Sequence, residues 1–163
     1  MDIAWEQRVA EAWASVEQYD DRGEEFRKII DALAEELPEG SPVASFERAC
    51  AFDSTGHSDR AVPLYREALA NGLDGYRRRR TVIQLSSSLR NIGQAEEGVA
   101  LLEPELDAPS DELDDAVRAT LALCLASLGR EREGLALVLG ALAPHLPRYQ
   151  RSMGNYARML TER

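Results

Sequence analysis

The residues able to do chemistry in this chain are few. Three consecutive serines, Ser86-Ser87-Ser88, could supply a nucleophile, two histidines, His57 and His145, could move protons or bind a metal, and two cysteines, Cys50 and Cys124, could pair or react. A catalytic serine needs a sharp turn to expose its Oγ and a base to take its proton. The serines here sit inside an apolar-periodic stretch with no histidine near them in sequence. Each histidine stands alone between helical segments, with no second ligand at metal-site spacing. The chain has no Cys-x-x-Cys, no His-Glu-x-x-His and no glycine-rich phosphate loop. Both cysteines fall within apolar-periodic segments, where small core thiols of a reducing compartment are expected. The expectation is no catalysis, no metal and no cofactor.

Arginine is the residue whose placement asks for an explanation. The 163 residues carry a formal charge of −10, which argues against nucleic acid and against an anionic membrane surface as partners. Yet residues 75–93 hold five arginines (Arg77, Arg78, Arg79, Arg80 and Arg90) and no acid, and residues 145–160 hold Arg148, Arg151 and Arg158, again with no acid. Without those eight charges the rest of the chain carries −18. Arg77 to Arg80 fall at the N-terminal end of a predicted helix, where the helix dipole disfavours cations. They must pair with acids on neighbouring helices, face a ligand, or reflect an arginine-rich genome, since Lys28 is the only lysine. Acidic pairs such as Asp20-Asp21, Glu24-Glu25 and Asp114-Asp115 suit solvated helix faces and first turns.

The elements that must position these groups are helices throughout. Apolar residues recur at three- and four-residue steps, with breakers at regular intervals and no sustained alternation of period two. Nine helices are predicted, over 2–20, 22–37, 42–55, 58–71, 75–92, 94–107, 111–128, 130–143 and 147–161. Ser41-Pro42 supplies a cap and a pre-set first residue, Ser58 and Asp74 can cap, and Ser110 precedes an acidic first turn. No apolar run approaches the roughly 18–20 residues that span a bilayer. The opening Met1-Asp2-Ile3-Ala4-Trp5-Glu6 lacks the basic-then-apolar order of a signal peptide, which together with the sparse cysteines predicts a cytoplasmic protein.

Gly56, Gly93 and Gly129 each fall just past a predicted helix, where a left-handed residue is needed, and they are 37 and 36 residues apart. Aligned on these glycines the segments superimpose. Phe52, Leu89 and Leu125 match four residues before, and Ala49, Ser86 and Ala122 seven before. Ala61, Gly98 and Gly134 match five after, followed by Tyr65, Leu102 and Val138, then Ala68, Glu105 and Ala141, then Leu69, Leu106 and Leu142. Helix pairs of this kind cannot bury their apolar stripes alone, so they stack. Small residues mark close crossings and large ones fill the layers between.

That order, clearest in Ala49…Phe52…Gly56…Ala61…Tyr65…Ala68-Leu69, resembles the tetratricopeptide repeat, and the chain is similar to the short, stand-alone bacterial members of that superfamily. The resemblance implies an all-α fold, a right-handed superhelical stack of antiparallel helix pairs. It implies one domain over 1–163: a divergent hairpin over 1–40, repeats over 42–73, 79–110 and 115–144, and a capping helix over 147–163. Three residues depart from the pattern. Glu105 replaces a small residue, and Pro104 is expected to kink or end its helix. Arg48 takes a usually apolar position and is expected to reach sideways out of the core. In the last helix, Tyr149, Met153, Tyr156 and Leu160 form the stripe expected to seal the final layer.

The same resemblance implies a binding module whose first helix in each pair lines a concave groove. Beside the core stripe Val82, Leu85, Leu89 and Ile92 runs a donor-rich stripe of Arg80, Gln84, Ser87 and Asn91, with Ile83 and Arg90 flanking it. The same offset in the last helix gives Arg151, Asn155 and Arg158. Between them Ala116, Ala119, Thr120, Leu123 and Ser127 form a small, nearly neutral floor. Arginine forks and side-chain amides suit carboxylate or phosphate. The expected partner is an acidic peptide segment or partner helix. The alternatives are a homodimer through the N-terminal hairpin with Trp5 and Trp13, and a small-molecule sensor for carboxylate or phosphate. The lysine–asparagine clamp with which some relatives hold chaperone tails is replaced by other residues here.

Overall fold

A computed structural model describes residues 2–162. Among them are nine α-helices and no strand: α1 (Ile3–Ala14), α2 (Gly23–Glu35), α3 (Pro42–Ser54), α4 (Ser58–Ala70), α5 (Gly75–Asn91), α6 (Ala95–Leu102), α7 (Asp114–Ser127), α8 (Glu131–Leu142) and α9 (Gln150–Thr161). Short 3-10 turns follow α1 at Val16–Tyr19, α6 at Glu103–Asp107 and α8 at Ala143–His145. The chain divides into two compact units, Met1–Thr81 and Val82–Arg163, with the division falling inside α5.

Three hairpin turns share one hydrogen-bond pattern. Gly56, Gly93 and Gly129 adopt φ of 79°, 81° and 73°. The N–H after each glycine donates to Phe52, Leu89 or Leu125, at 2.9, 2.8 and 2.9 Å, and the glycine N–H donates to the residue three before it. This double closure satisfies the last carbonyls of α3, α5 and α7 and requires the left-handed residue. The aligned residues four before each glycine are therefore the acceptors of the helix-ending bond.

In the first unit Phe26, Ile30 and Ala51 are buried, with Trp13, Val16, Tyr19 and Leu33 packed against them. The Trp13 ring meets Phe26 edge-on at 5.0 Å. Trp5 is buried and donates its indole N–H to the Leu33 carbonyl at 2.8 Å. In the α3–α4 pair Ala49, Ala61, Tyr65 and Ala68 are fully buried. Arg48 leaves the core sideways as expected, its Nε donating to Asp31 at 2.6 Å.

In the second unit Leu85, Leu89, Leu102, Val117 and Leu121 form the core. The small residues mark close crossings. A Cβ on Gly98 would lie 3.0 Å from Cys124 Sγ and 3.1 Å from the Ser86 carbonyl oxygen, and one on Gly134 2.9 Å from that of Ala122. Ser86 fits its crossing by turning its hydroxyl onto the Val82 carbonyl at 2.8 Å.

Several expectations need correction. The first helix ends at Ala14 rather than running to 20, because Ser15 turns its hydroxyl onto the Ala12 carbonyl and the chain tightens into a 3-10 turn. His57, not Ser58, occupies the cap position of α4, and Ser58 is its first helical residue. Ser110 does not start α7. It donates to the Asp114 carboxylate at 2.7 Å, Asp111 accepts from the Leu113 N–H at 2.7 Å, and this local turn delays the helix to Asp114. The last helix begins at Gln150 rather than 147, after Tyr149 in a left-handed conformation with φ 70°. Pro104 acts as expected: α6 ends at Leu102 and continues only as a 3-10 turn, in which Glu105 is buried.

Several apolar residues lie elsewhere than the alignment and the helix stripes imply. Ile92 is exposed at the end of α5, whereas Val82, Leu85 and Leu89 are buried. Val138 is 41% exposed although its counterparts Tyr65 and Leu102 are fully buried, because α9 packs on α8 without covering the stripe Leu135, Val138 and Leu142. In α9 itself Tyr156 is exposed and Ala157 is the buried residue. The helix is turned so that a small residue meets α8, and Tyr149 and Tyr156 do not seal the layer.

Candidate binding surfaces on α5 and α9

Ser41 caps α3, accepting from the Ala44 N–H, and Asp74 stands just before α5, its carbonyl accepting from the Arg78 N–H. α5 then runs unbroken from Gly75 to Asn91, so Arg80, Gln84, Ser87 and Asn91 share one face at four- and three-residue steps. Arg80, Gln84 and Ser87 are half-buried and Asn91 is exposed. The Arg80 guanidinium lies over the Phe46 ring at 5.2 Å from its centroid. Arg90 donates to Asn91 Oδ1 at 3.1 Å, and its Nε is buried without a hydrogen-bond partner. Ser86 and Ser88 of the serine run are fully buried in mid-helix.

On α9, Arg151 and Arg158 are exposed and Asn155 is half-buried, its Oδ1 accepting from Arg158. Arg151 and Asn155 line a shallow cleft with Arg148, Tyr149, Gln150 and Ser152. On α7 the floor residues Ala116, Ala119, Leu123 and Ser127 are exposed and Thr120 is half-buried. The donors of each helix thus share that helix's solvent side.

Arg77 behaves differently. Its guanidinium grips Glu6 with two bonds, at 3.1 and 2.6 Å, and its Nε lies 3.5 Å from Glu47. Glu47 also accepts from the Trp13 indole at 2.8 Å. Burial pushes the Glu47 carboxyl above the ordinary carboxylate range, and the Trp13 bond and the charges of Arg77 and Arg80 only partly offset this. This arginine therefore closes the seam between α1, α3 and α5. Sequence reasoning missed these partners because the pairs are 34 and 71 residues apart.

The remaining reactive groups are absorbed locally. His57 Nδ1 sits 2.7 Å from the Thr55 carbonyl, and His145 Nε2 sits 2.9 Å from Asp115. The His145 contact holds the Asp115 carboxyl below its usual range. Cys50 and Cys124 are buried thiols outside any disulfide, and burial pushes that of Cys124 up. Among the described residues no three His, Cys, Asp or Glu side chains cluster as a metal site, and no helix is long and apolar enough to cross a membrane.

Searches of the curated proteins and of the solved structures returned no match. The family model described as Tetratrico peptide repeat matches residues 42–160, the stretch from the first residue of α3 almost to the end of α9. With its helical pairs, shared glycine turns and small-residue crossings, the chain belongs to the tetratricopeptide repeat family.

Proposed function

We propose that this protein is a non-catalytic cytoplasmic scaffold that binds an acidic peptide segment or partner helix. Members of its family serve as protein-interaction modules, which supplies the general role. The contacts would come from Arg80, Gln84, Ser87, Arg90 and Asn91 on α5 and from Arg151, Asn155 and Arg158 on α9. The observation that carries the reading is the α5 face, donor-rich and without an acid from residue 75 to 93 in a chain of net charge −10. The buried Arg90 Nε–H supports it, being a donor that a ligand carboxylate would satisfy. A homodimer through the first hairpin has less to recommend it, since Trp5 and Trp13 spend their indole N–H groups on Leu33 and Glu47.

The test is selection from a displayed library of acidic peptides, followed by calorimetric titration of the selected sequences against wild type and an Arg80→Glu/Arg151→Glu variant. Binding is expected to fall at least about tenfold in the variant and to weaken with salt. Arg151 is exposed, so Arg151→Glu alone should also weaken binding while shifting the melting temperature by no more than about 2 °C, as for surface substitutions. Equal affinity for wild type and the variants, or a large loss of thermal stability in the Arg151 variant, overturns the assignment.

A further inference from the structure

The second unit contains a cleft of about 490 Å³ bounded by the turn after α6 and by α7, α8 and α9. Leu106, Leu121, Leu125 and Leu137 give it an apolar lining. Two further lining residues are Gly140, inside α8, and Gly154, inside α9. Glycine weakens a helix interior relative to alanine, so its presence there asks for a cause. Neither residue has a positive φ, and a Cβ on either would meet nothing within 4 Å. That sets them apart from Gly98 and Gly134, whose helices cross too closely for a side chain. Turn geometry and packing thus both fail to explain Gly140 and Gly154. Their effect is to keep two walls of the cleft low.

The lining carries three arginines, Arg118, Arg130 and Arg158, and two acids, Glu103 and Glu133. Arg118 is bonded to Asp115 at 2.9 Å and Arg130 to Glu133 at 2.8 Å. Arg158, the third arginine of the lining, bonds the neutral Asn155. Among the described residues no carboxylate pairs with Arg158, and an apolar trough with such a cation at its edge matches a ligand with an apolar body and one negative charge. The volume lies in the range of small-molecule sites, about 300–1,000 Å³.

We propose that this cleft binds a small amphipathic carboxylate. Its aliphatic or aromatic body lies against Leu121, Leu125 and Leu137 between Gly140 and Gly154, and its carboxylate meets Arg158. The inference is separate from the peptide reading and shares with it only Arg158.

The probe is decanoate, titrated into the full chain by calorimetry and by amide chemical shifts, with decylammonium as the contrast of opposite charge. Saturable one-to-one binding of decanoate is expected, with shifts at Leu137, Gly140 and Gly154 and at least about tenfold weaker binding of decylammonium. Gly140→Leu and Gly154→Leu fill the trough and should abolish binding while leaving the helical circular dichroism intact. Should either fail to fold, Gly140→Ala and Gly154→Ala serve instead. They should raise the melting temperature, as alanine does in a helix, yet weaken decanoate. Arg158→Gln should weaken it about tenfold, the scale of one charge-assisted bond. No saturable binding, equal binding of the two amphiphiles, or unchanged affinity in the folded glycine variants overturns the proposal. Tighter binding of a leucine–glutamate peptide that the same glycine variants block also overturns it, in favour of a protein partner.

Discussion

Trp13 donates its indole N–H to Oε2 of Glu47 at 2.8 Å, joining the first helix to the third across 34 residues of sequence. The Glu47 side chain is only 5% exposed, so a neutral donor and one arginine 3.5 Å away hold a carboxyl group that packing has shut off from water. Burial raises its pKa, so folding favours the neutral form.

The consequence is a pH dependence of defined sign. A group raised on folding contributes stability below its unfolded pKa and loses it as pH climbs through the folded value. In urea titrations at a series of pH values, the stability of Glu47→Gln relative to wild type should therefore grow from about pH 4 towards pH 7. Glu36, Asp115 and Glu133, held low by Arg8, His145 and Arg130, titrate in the opposite sense but cancel in this difference. A difference that stays flat with pH would show that Glu47 titrates alike in the folded and unfolded chain.

Two helical glycines of α8 should respond oppositely to alanine. At Gly134 the new methyl would lie 2.9 Å from the Ala122 carbonyl oxygen, which belongs to backbone that cannot step aside cheaply. Gly134→Ala should cost about 1–3 kcal/mol. At Gly140 the methyl meets nothing, so Gly140→Ala should stabilise by about 0.5–1 kcal/mol. Urea midpoints of the two variants, measured beside wild type, check both signs.

Tyr65 is fully buried, and its hydroxyl donates to Asp53 at 3.3 Å and lies 3.7 Å from Cys50 Sγ. Tyr65→Phe keeps the ring and removes that donor, so it should cost about 1 kcal/mol. Tyr65→Ala should cost about 3–5 kcal/mol by opening a cavity. Calorimetric melting should rank the three proteins in that order, and a phenylalanine variant as stable as wild type would make the hydroxyl incidental.

The thiols give a further check. Cys50 and Cys124 are buried, and Cys124 is pushed away from the reactive thiolate form. Ellman's reagent should release no colour from the native protein over minutes and two equivalents after denaturation. Rapid reaction of one thiol in the native state would show local opening around it.

The glycine punctuation was legible in the sequence because a left-handed residue at a fixed period has one strong chemical signature, and Gly56, Gly93 and Gly129 all prove to close their hairpins. The end of α6 just before Pro104 and the sideways reach of Arg48 were legible for similar reasons, each following from the chemistry of one residue. Helix starts were less so, since Ser110, Asp111 and Asp114 bond among themselves and outcompete a simple cap. The exposure of Val138 and Tyr156 depends on how α9 turns about its own axis, which no local pattern encodes. The Glu6–Arg77–Glu47–Trp13 network was hidden for a related reason: charges paired across α1, α3 and α5 read, one at a time, as ordinary surface residues. The donor stripes of α5 and α9 were read from helical periodicity, whereas the cleft of the second unit was signalled only by glycines that weaken their own helices.

The three glycine turns have a last consequence. Because they share one backbone geometry and one pair of closing bonds at intervals of 37 and 36 residues, the chain is punctuated like a text whose clauses end on the same stop. Removing residues 94–129 would splice Gly93 directly to Arg130, and the junction would reproduce a turn the protein already makes. Length in such a molecule is a variable that gene rearrangement, or an engineer, can edit in whole periods without inventing a new corner.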